Sequence, residues 1–186
     1  MNSTTQSQTA VKSDPVAKRA FGSPAPEASS AAPHPGDLLY RFEGRLTEIY
    51  PVGLFPEGLR LANKFEGTVI GGPLAGARVW GIDQFIVRPD GVGVLDAPET
   101  FSRGALNVVG QVRGYALPPE GAPAIPLEAM LDPGFEWPDV PFRLRGSVMF
   151  RAAPPELEWM NRTVAVISGE VTMSTGRLVV EARAAG

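Results

Sequence analysis

The sequence predicts an all-β fold: a single closed antiparallel β-barrel of about eight strands over residues 37–186, behind a disordered N-terminal tail over residues 1–36. Three observations predict it. From Leu38 onward, apolar and polar residues alternate with period two in segment after segment. Short breaks containing Gly, Pro and Asp separate those segments. Helical periodicity is almost absent. An open sheet of this size would leave two bare edges, and closure removes them. A β-sandwich is the rival arrangement.

The tail is rich in Ser, Thr, Ala, Gln and Pro, with Phe21 as its only aromatic residue. Such a segment buries too little apolar area to offset its ordering entropy. Lys18 and Arg19 read as a solvated pair. His34, the single histidine, lies in Ala31-Ala32-Pro33-His34-Pro35-Gly36, which reads as linker.

In the first strand Tyr40, Phe42 and Leu46 share one face, and Arg41, Glu43, Arg45 and Thr47 the other. A second strand is predicted over Leu59 to Phe65 and a third short piece over Gly67 to Ile70, ended by Gly71-Gly72-Pro73. The clearest strand is Arg78 to Arg88. Val79, Gly81, Phe85 and Val87 share a face with Asp83, while Trp80, Ile82, Gln84 and Ile86 point away. Pro89-Asp90-Gly91 makes a tight turn, and Val92 to Phe101 pairs back as a hairpin. Ala105 to Tyr115 follows. Within the proline-rich stretch Leu117 to Pro141, Pro126 to Leu131 forms a helical turn or two. Phe142 to Phe150, Trp159 to Ser168 and Arg177 to Arg183 complete the strands, the last two joined at Ser174-Thr175-Gly176.

Composition narrows the function. About 150 residues bury a sizeable core without disulfides or metal. The chain has no cysteine, which removes disulfides, thiolate zinc sites, iron–sulfur clusters and a cysteine nucleophile. One histidine in a linker leaves neither a Ser-His-Asp relay nor a multi-histidine metal cage. The formal charge is −3, with acids and bases interleaved, so nothing resembles a nucleic-acid footprint. No apolar run approaches the roughly 18 residues of a membrane span, and no signal-peptide pattern opens the chain. The expectation is a cytoplasmic protein with no membrane and no nucleic-acid partner. Gly71-Gly72-Pro73 lacks the lysine and following helix of a phosphate loop.

An ordered series of motifs resembles a known family. Phe65-Glu66-Gly67, Gly71-Gly72-Pro73-Leu74-Ala75-Gly76, Gly81-Ile82-Asp83 and Arg88-Pro89-Asp90-Gly91 are similar to the central signature of domain-of-unknown-function family 3237, also called uncharacterised protein family 0311. Val94-Leu95-Asp96 and Pro155 to Arg162 resemble its later motifs. The resemblance spans Leu38 to Ala182 and implies a calycin-like or allene-oxide-cyclase-like barrel. Where that family often has Gly-Ala-Asp-Trp, this chain has Gly81-Ile82-Asp83-Gln84, with Trp80 nearby. Arg60, after Gly58-Leu59, matches a position where that family commonly has arginine.

Asp83 is the most informative candidate. An acid on an apolar strand face is costly unless it is paired or does work, and desolvation makes it a general acid or base. The competing reading is a structural carboxylate. Arg60 could clamp a carboxylate or enolate oxygen with its planar fork. Trp159 and Asn161 fall on one face of the same predicted strand, and with Trp80, Tyr115 and Arg145 they are candidate ligand-binding residues. Asp90 reads as turn chemistry. Asp96 and Glu99, three apart on a strand, point to opposite faces and make a poor acid–base pair.

The expected function is a cofactor-independent enzyme of lyase, isomerase or cyclase type. It would act on a small apolar, aromatic or polyketide-like ligand, with Asp83 moving a proton and Arg60 assisting. No metal and no cofactor are expected. The alternatives are a lipocalin-like binding protein without turnover, or a filled-barrel assembly module. The Leu117 to Pro141 loop, with Phe135 and Trp137, would then serve as a lid or as the arm of a homodimer.

Overall fold

The computed structural model describes residues 32–123 and 125–185. Eight antiparallel strands close into one barrel in sequence order: β1 (Leu38–Phe55), β2 (Gly58–Gly71), β3 (Arg78–Val87), β4 (Gly93–Arg103), β5 (Leu106–Leu117), β6 (Pro141–Ala152), β7 (Val164–Thr172) and β8 (Arg177–Ala184). Strand β8 returns to pair with β1, from Leu38 opposite Arg183 to Arg45 opposite Arg177. The expected class is therefore the observed one. Most of the tail lies outside the described residues. Where the chain becomes described, the Gly36 N–H donates to the Ala184 carbonyl, so it is tied to the barrel two residues before β1.

Two expectations about elements are corrected. The pieces Leu59 to Phe65 and Gly67 to Ile70 are one strand, β2, because Gly67 continues the ladder opposite Gly44. A Cβ on Gly67 would lie 2.7 Å from the Glu43 carbonyl, so glycine here permits close pairing instead of a break. The predicted strand Trp159 to Ser168 is also wrong in its first half. Pro155 starts a 3-10 helix that runs to Arg162, and β7 begins only at Val164. Proline at a first helical position has the right φ and no N–H to lose. The helical turn in the long loop is present as a 3-10 turn, with the Ala129 N–H bonded to the Pro126 carbonyl.

Connectivity makes the two barrel ends different. The β2–β3 and β4–β5 turns and the Pro155–Arg162 helix lie at one end, and the helix sends Leu157 and Met160 into the core. The β1–β2, β3–β4 and β7–β8 turns lie at the other end, together with the long loop 118–140. Toward the helix end, aromatic rings fill the interior. Tyr40 packs against Phe101 at 5.0 Å between centroids and edge-on against Phe150 at 6.2 Å. Each such buried ring contributes about 2–3 kcal/mol of burial. The polar residues of the interior stand near mid-barrel, next to these rings.

Candidate functional site

Strand alternation selects the site. In β3, Val79, Gly81, Asp83, Phe85 and Val87 face inward, as the sequence pattern requires. In β2 the inward residues are Leu59, Leu61, Asn63 and Phe65, and in β4 they are Leu95, Ala97, Glu99 and Phe101. Three polar side chains thus enter an apolar interior: Asn63 at 3 % exposure, Asp83 at 8 % and Glu99 at 2 %. Asn63 sits opposite Asp83 in register, and Glu99 opposite Gly81, one inward position along β3 from Asp83. Residues so related on one sheet face have Cβ atoms roughly 5 to 8 Å apart.

Asp83 also fills a gap in the sheet. Strands β3 and β4 are paired at Gly81 with Glu99 and again at Ile86 with Val94, with no paired residues between. Pro98 lies in that gap and has no N–H to offer. The Asp96 N–H turns to Asp83 Oδ1 at 2.9 Å. Glu99 is held from the other side, with the Tyr40 hydroxyl donating to Oε1 at 2.8 Å. Gly110 lies opposite Glu99, and a Cβ there would come within 2.7 Å of Oε1. Glycine at that position makes room for the carboxyl group.

Desolvation dominates the electrostatics. Burial pushes Asp83 up to about 7, against the pull of the Asp96 N–H and with a smaller push from the Asp96 charge. Burial pushes Glu99 up to about 8, although the Tyr40 hydrogen bond opposes it. Tyr40 is raised well above its ordinary value by burial, then by the Glu99 charge and hydrogen bond. No Lys, Arg or His is buried among the described residues.

Asn63, Asp83 and Glu99 line an interior cavity of ≈ 70 Å³ whose other walls are apolar, among them Phe65, Ile167 and Val180. A larger chamber of ≈ 570 Å³ lies over the loop end, between the barrel rim and loop 118–140. Ile125, Met130, Phe135, Trp137 and Phe142 line it. Phe85, Val171 and Met173 border both spaces, so the chamber and the polar cavity are neighbours.

The structure separates the remaining predicted residues from Asp83. Arg60 is on the outer surface: its neighbours Leu59 and Leu61 take the inward positions, and it pairs with Ile86. Its guanidinium binds Glu57 Oε1 at 2.6 Å and lies over the Phe55 ring. Trp80 and Tyr115 point outward and are 48 % and 49 % exposed. Arg145 also faces outward and donates to the carbonyl of its neighbour Leu144. Trp159 and Asn161 share no strand face, because both lie in the 3-10 helix at the opposite end. Trp159 is buried there with Nε1 unpaired, and Asn161 exchanges two hydrogen bonds of 2.8 Å with the backbone of Ala152. Asn63 and Glu99 were missed as site residues. The alternation of β2 and β4 carries the signal for both, since each is the polar member of an otherwise apolar inward row.

Three solved structures share this fold. A β-barrel-like protein from Acinetobacter baumannii is 19 % identical, with a TM-score of 0.58 over 82 % of this chain and 97 % of its own. A protein of unknown function from Clostridium acetobutylicum is 18 % identical, with a TM-score of 0.61 over 81 % and 98 %. A conserved protein of unknown function from Rhodopseudomonas palustris is 19 % identical, with a TM-score of 0.58 over 82 % and 99 %. No protein-family model matches the sequence, and no curated protein matches it. At these identities the likeness shows the barrel fold. Among the described residues, no helix is long and apolar enough to cross a membrane.

Proposed function

We propose that the barrel takes a small, largely apolar ligand at its loop end and exchanges a proton with it through Asp83, with Glu99 as a second acid. One observation carries this reading: two carboxyl groups and a carboxamide are buried around a cavity that shares Phe85, Val171 and Met173 with a larger, mostly apolar chamber. At about 7, Asp83 is poised both to accept and to release a proton near neutral pH. Glu99 at about 8 is mostly protonated there and can donate from the oxygen that Tyr40 does not occupy. Isomerase, lyase or cyclase steps that need only proton movement suit this pair. The aromatic lining of the chamber by Phe135, Trp137 and Phe142 supports an aromatic or polyketide-like ligand. The interior position of Asp83, within Gly81-Ile82-Asp83, also supports placing the chain as a divergent member of domain-of-unknown-function family 3237.

The test is hydrogen–deuterium exchange at an acidic C–H of aromatic ketones and diketones, followed by NMR with wild-type protein and Asp83→Asn. Exchange that vanishes in the variant while binding persists supports the reading. Equal exchange in both proteins refutes it.

A second reading, ligand binding without turnover, has its own support. Asp83 accepts the Asp96 N–H in the gap between β3 and β4, which is reason enough for an acid there. Under that reading Asp83→Asn leaves ligand unconsumed by either protein, and affinity is the only property that changes.

A further inference from the structure

The cavity holds two acids and no base. Asn63 Oδ1 is fully buried and has no hydrogen-bond partner. Asp83 has one oxygen bound to the Asp96 N–H, and Glu99 has one bound to the Tyr40 hydroxyl. Each keeps a second oxygen. Two strands therefore present two free carboxyl oxygens to a single space of ≈ 70 Å³, beside the Asn63 carboxamide, whose NH2 group is a donor. No basic side chain answers them. The inward residues that β5 to β8 contribute to the cavity are Val112, Leu144, Ile167, Val171, Leu178 and Val180, none of them titratable. From β1, Phe42 and Leu46 line it, and Tyr40 stands behind Glu99.

The chamber above repeats the sign. Its charged residues are Asp90, Glu120 and Glu136, and no Lys or Arg lines it. Asp90 is neutralised by Arg88 at 2.6 Å, whereas Glu120 and Glu136 have no ion pair among the described residues. The unpaired charges at the rim are thus acidic and the floor holds acids without a base, which favours a cation over an anion.

Size completes the description. The inner space has room for a few water molecules, and ligand pockets run to about 300 Å³ or more. It accepts a head group and no ring. The chamber accepts the body.

We propose that the ligand is an apolar primary amine, its ammonium seated between the free oxygens of Asp83 and Glu99 and its apolar body in the chamber under loop 118–140. An ammonium has N–H donors for both free carboxyl oxygens and supplies the counter-charge that the interior lacks. The inference rests on reading the cavity as a ligand site, and it does not depend on turnover. Because the carboxyl groups must ionise to hold the ammonium, binding releases protons and strengthens as pH rises toward about 8.

The experiment is isothermal titration calorimetry with phenylbutylamine, phenylbutanol and phenylbutyrate, which share one body and differ in the head. At pH 8 the amine binds at least about tenfold more tightly than the alcohol, and the carboxylate binds weakest. Between pH 6 and pH 8 the amine's affinity rises about tenfold or more, and titration in two buffers of different ionisation enthalpy shows net proton release. These readouts use unmutated protein. Asp83→Asn and Glu99→Gln each lower amine affinity about tenfold and leave the alcohol nearly unaffected. Preference for the alcohol or the carboxylate overturns the amine assignment and leaves the ligand site standing. If none of the three binds, the ligand-site reading falls as well.

Discussion

Raising the pH should destabilise this barrel across a range in which most proteins are steady. Glu99 is moved from 4.5 to about 8 and Asp83 from 3.8 to about 7. Both folded values lie above the unfolded ones. The folded state therefore holds protons that the unfolded chain has already lost, and stability falls as pH rises. The effect is fully present below pH 4 and is lost as pH passes through the folded values. One displaced pKa unit is worth about 1.4 kcal/mol, so each carboxyl group accounts for about 4–5 kcal/mol across its window. Between about pH 5 and pH 6.5 both groups contribute, and the slope approaches −2.7 kcal/mol per pH unit. Glu57 and Glu66 have the opposite sign, being lowered chiefly by hydrogen bonds from Arg60 and Arg78, and they titrate below this window. The assay is urea unfolding at intervals from pH 5 to pH 9, with wild type, Asp83→Asn, Glu99→Gln and the double variant. Each single variant should halve the slope, and the double variant should flatten it. A wild-type stability that is level from pH 5 to pH 8 would refute the claim that these carboxyl groups are buried without a counter-charge.

Other substitutions probe the supports of the site. Tyr40→Phe removes the donor that lowers Glu99, so the pH window of Glu99 should extend upward and stability should fall by about 1–3 kcal/mol, read from the same unfolding curves. Gly110→Ala places a methyl group against the Glu99 carboxyl group and should cost about 1–3 kcal/mol through overpacking, measured by thermal unfolding. Asn161→Ala breaks both hydrogen bonds to Ala152 and should cost about 1–3 kcal/mol, with no effect on ligand affinity because the helix end is remote from the cavity. Arg60→Ala should leave both stability and ligand affinity within about 0.5 kcal/mol of wild type, since its ion pair with Glu57 is solvated.

Much of the fold and one member of the site were legible in the sequence. Period-two alternation is a local property, because successive side chains must leave a strand on opposite faces. It therefore determined that β3 runs from Arg78 and that Asp83 enters the interior beside Val79, Phe85 and Val87. It also determined that Asp96 and Glu99 face opposite ways, with Glu99 buried and Asp96 turned out toward Arg113. Alternation leaves open which strands become neighbours and in what register. That assembly is tertiary: pairing Asn63 with Asp83, and Glu99 with Gly81, turned three scattered polar residues into one cluster. Alternation alone sends Arg60 to the surface, opposite the inward Leu59 and Leu61. The two proline-bounded connections were also decided by the tertiary structure. The one beginning at Pro155 became a helix whose apolar residues fill one barrel end, and loop 118–140 came to roof the other. An eight-strand barrel has two ends and one interior, and only the assembled chain determines which end is filled and which is left with a chamber.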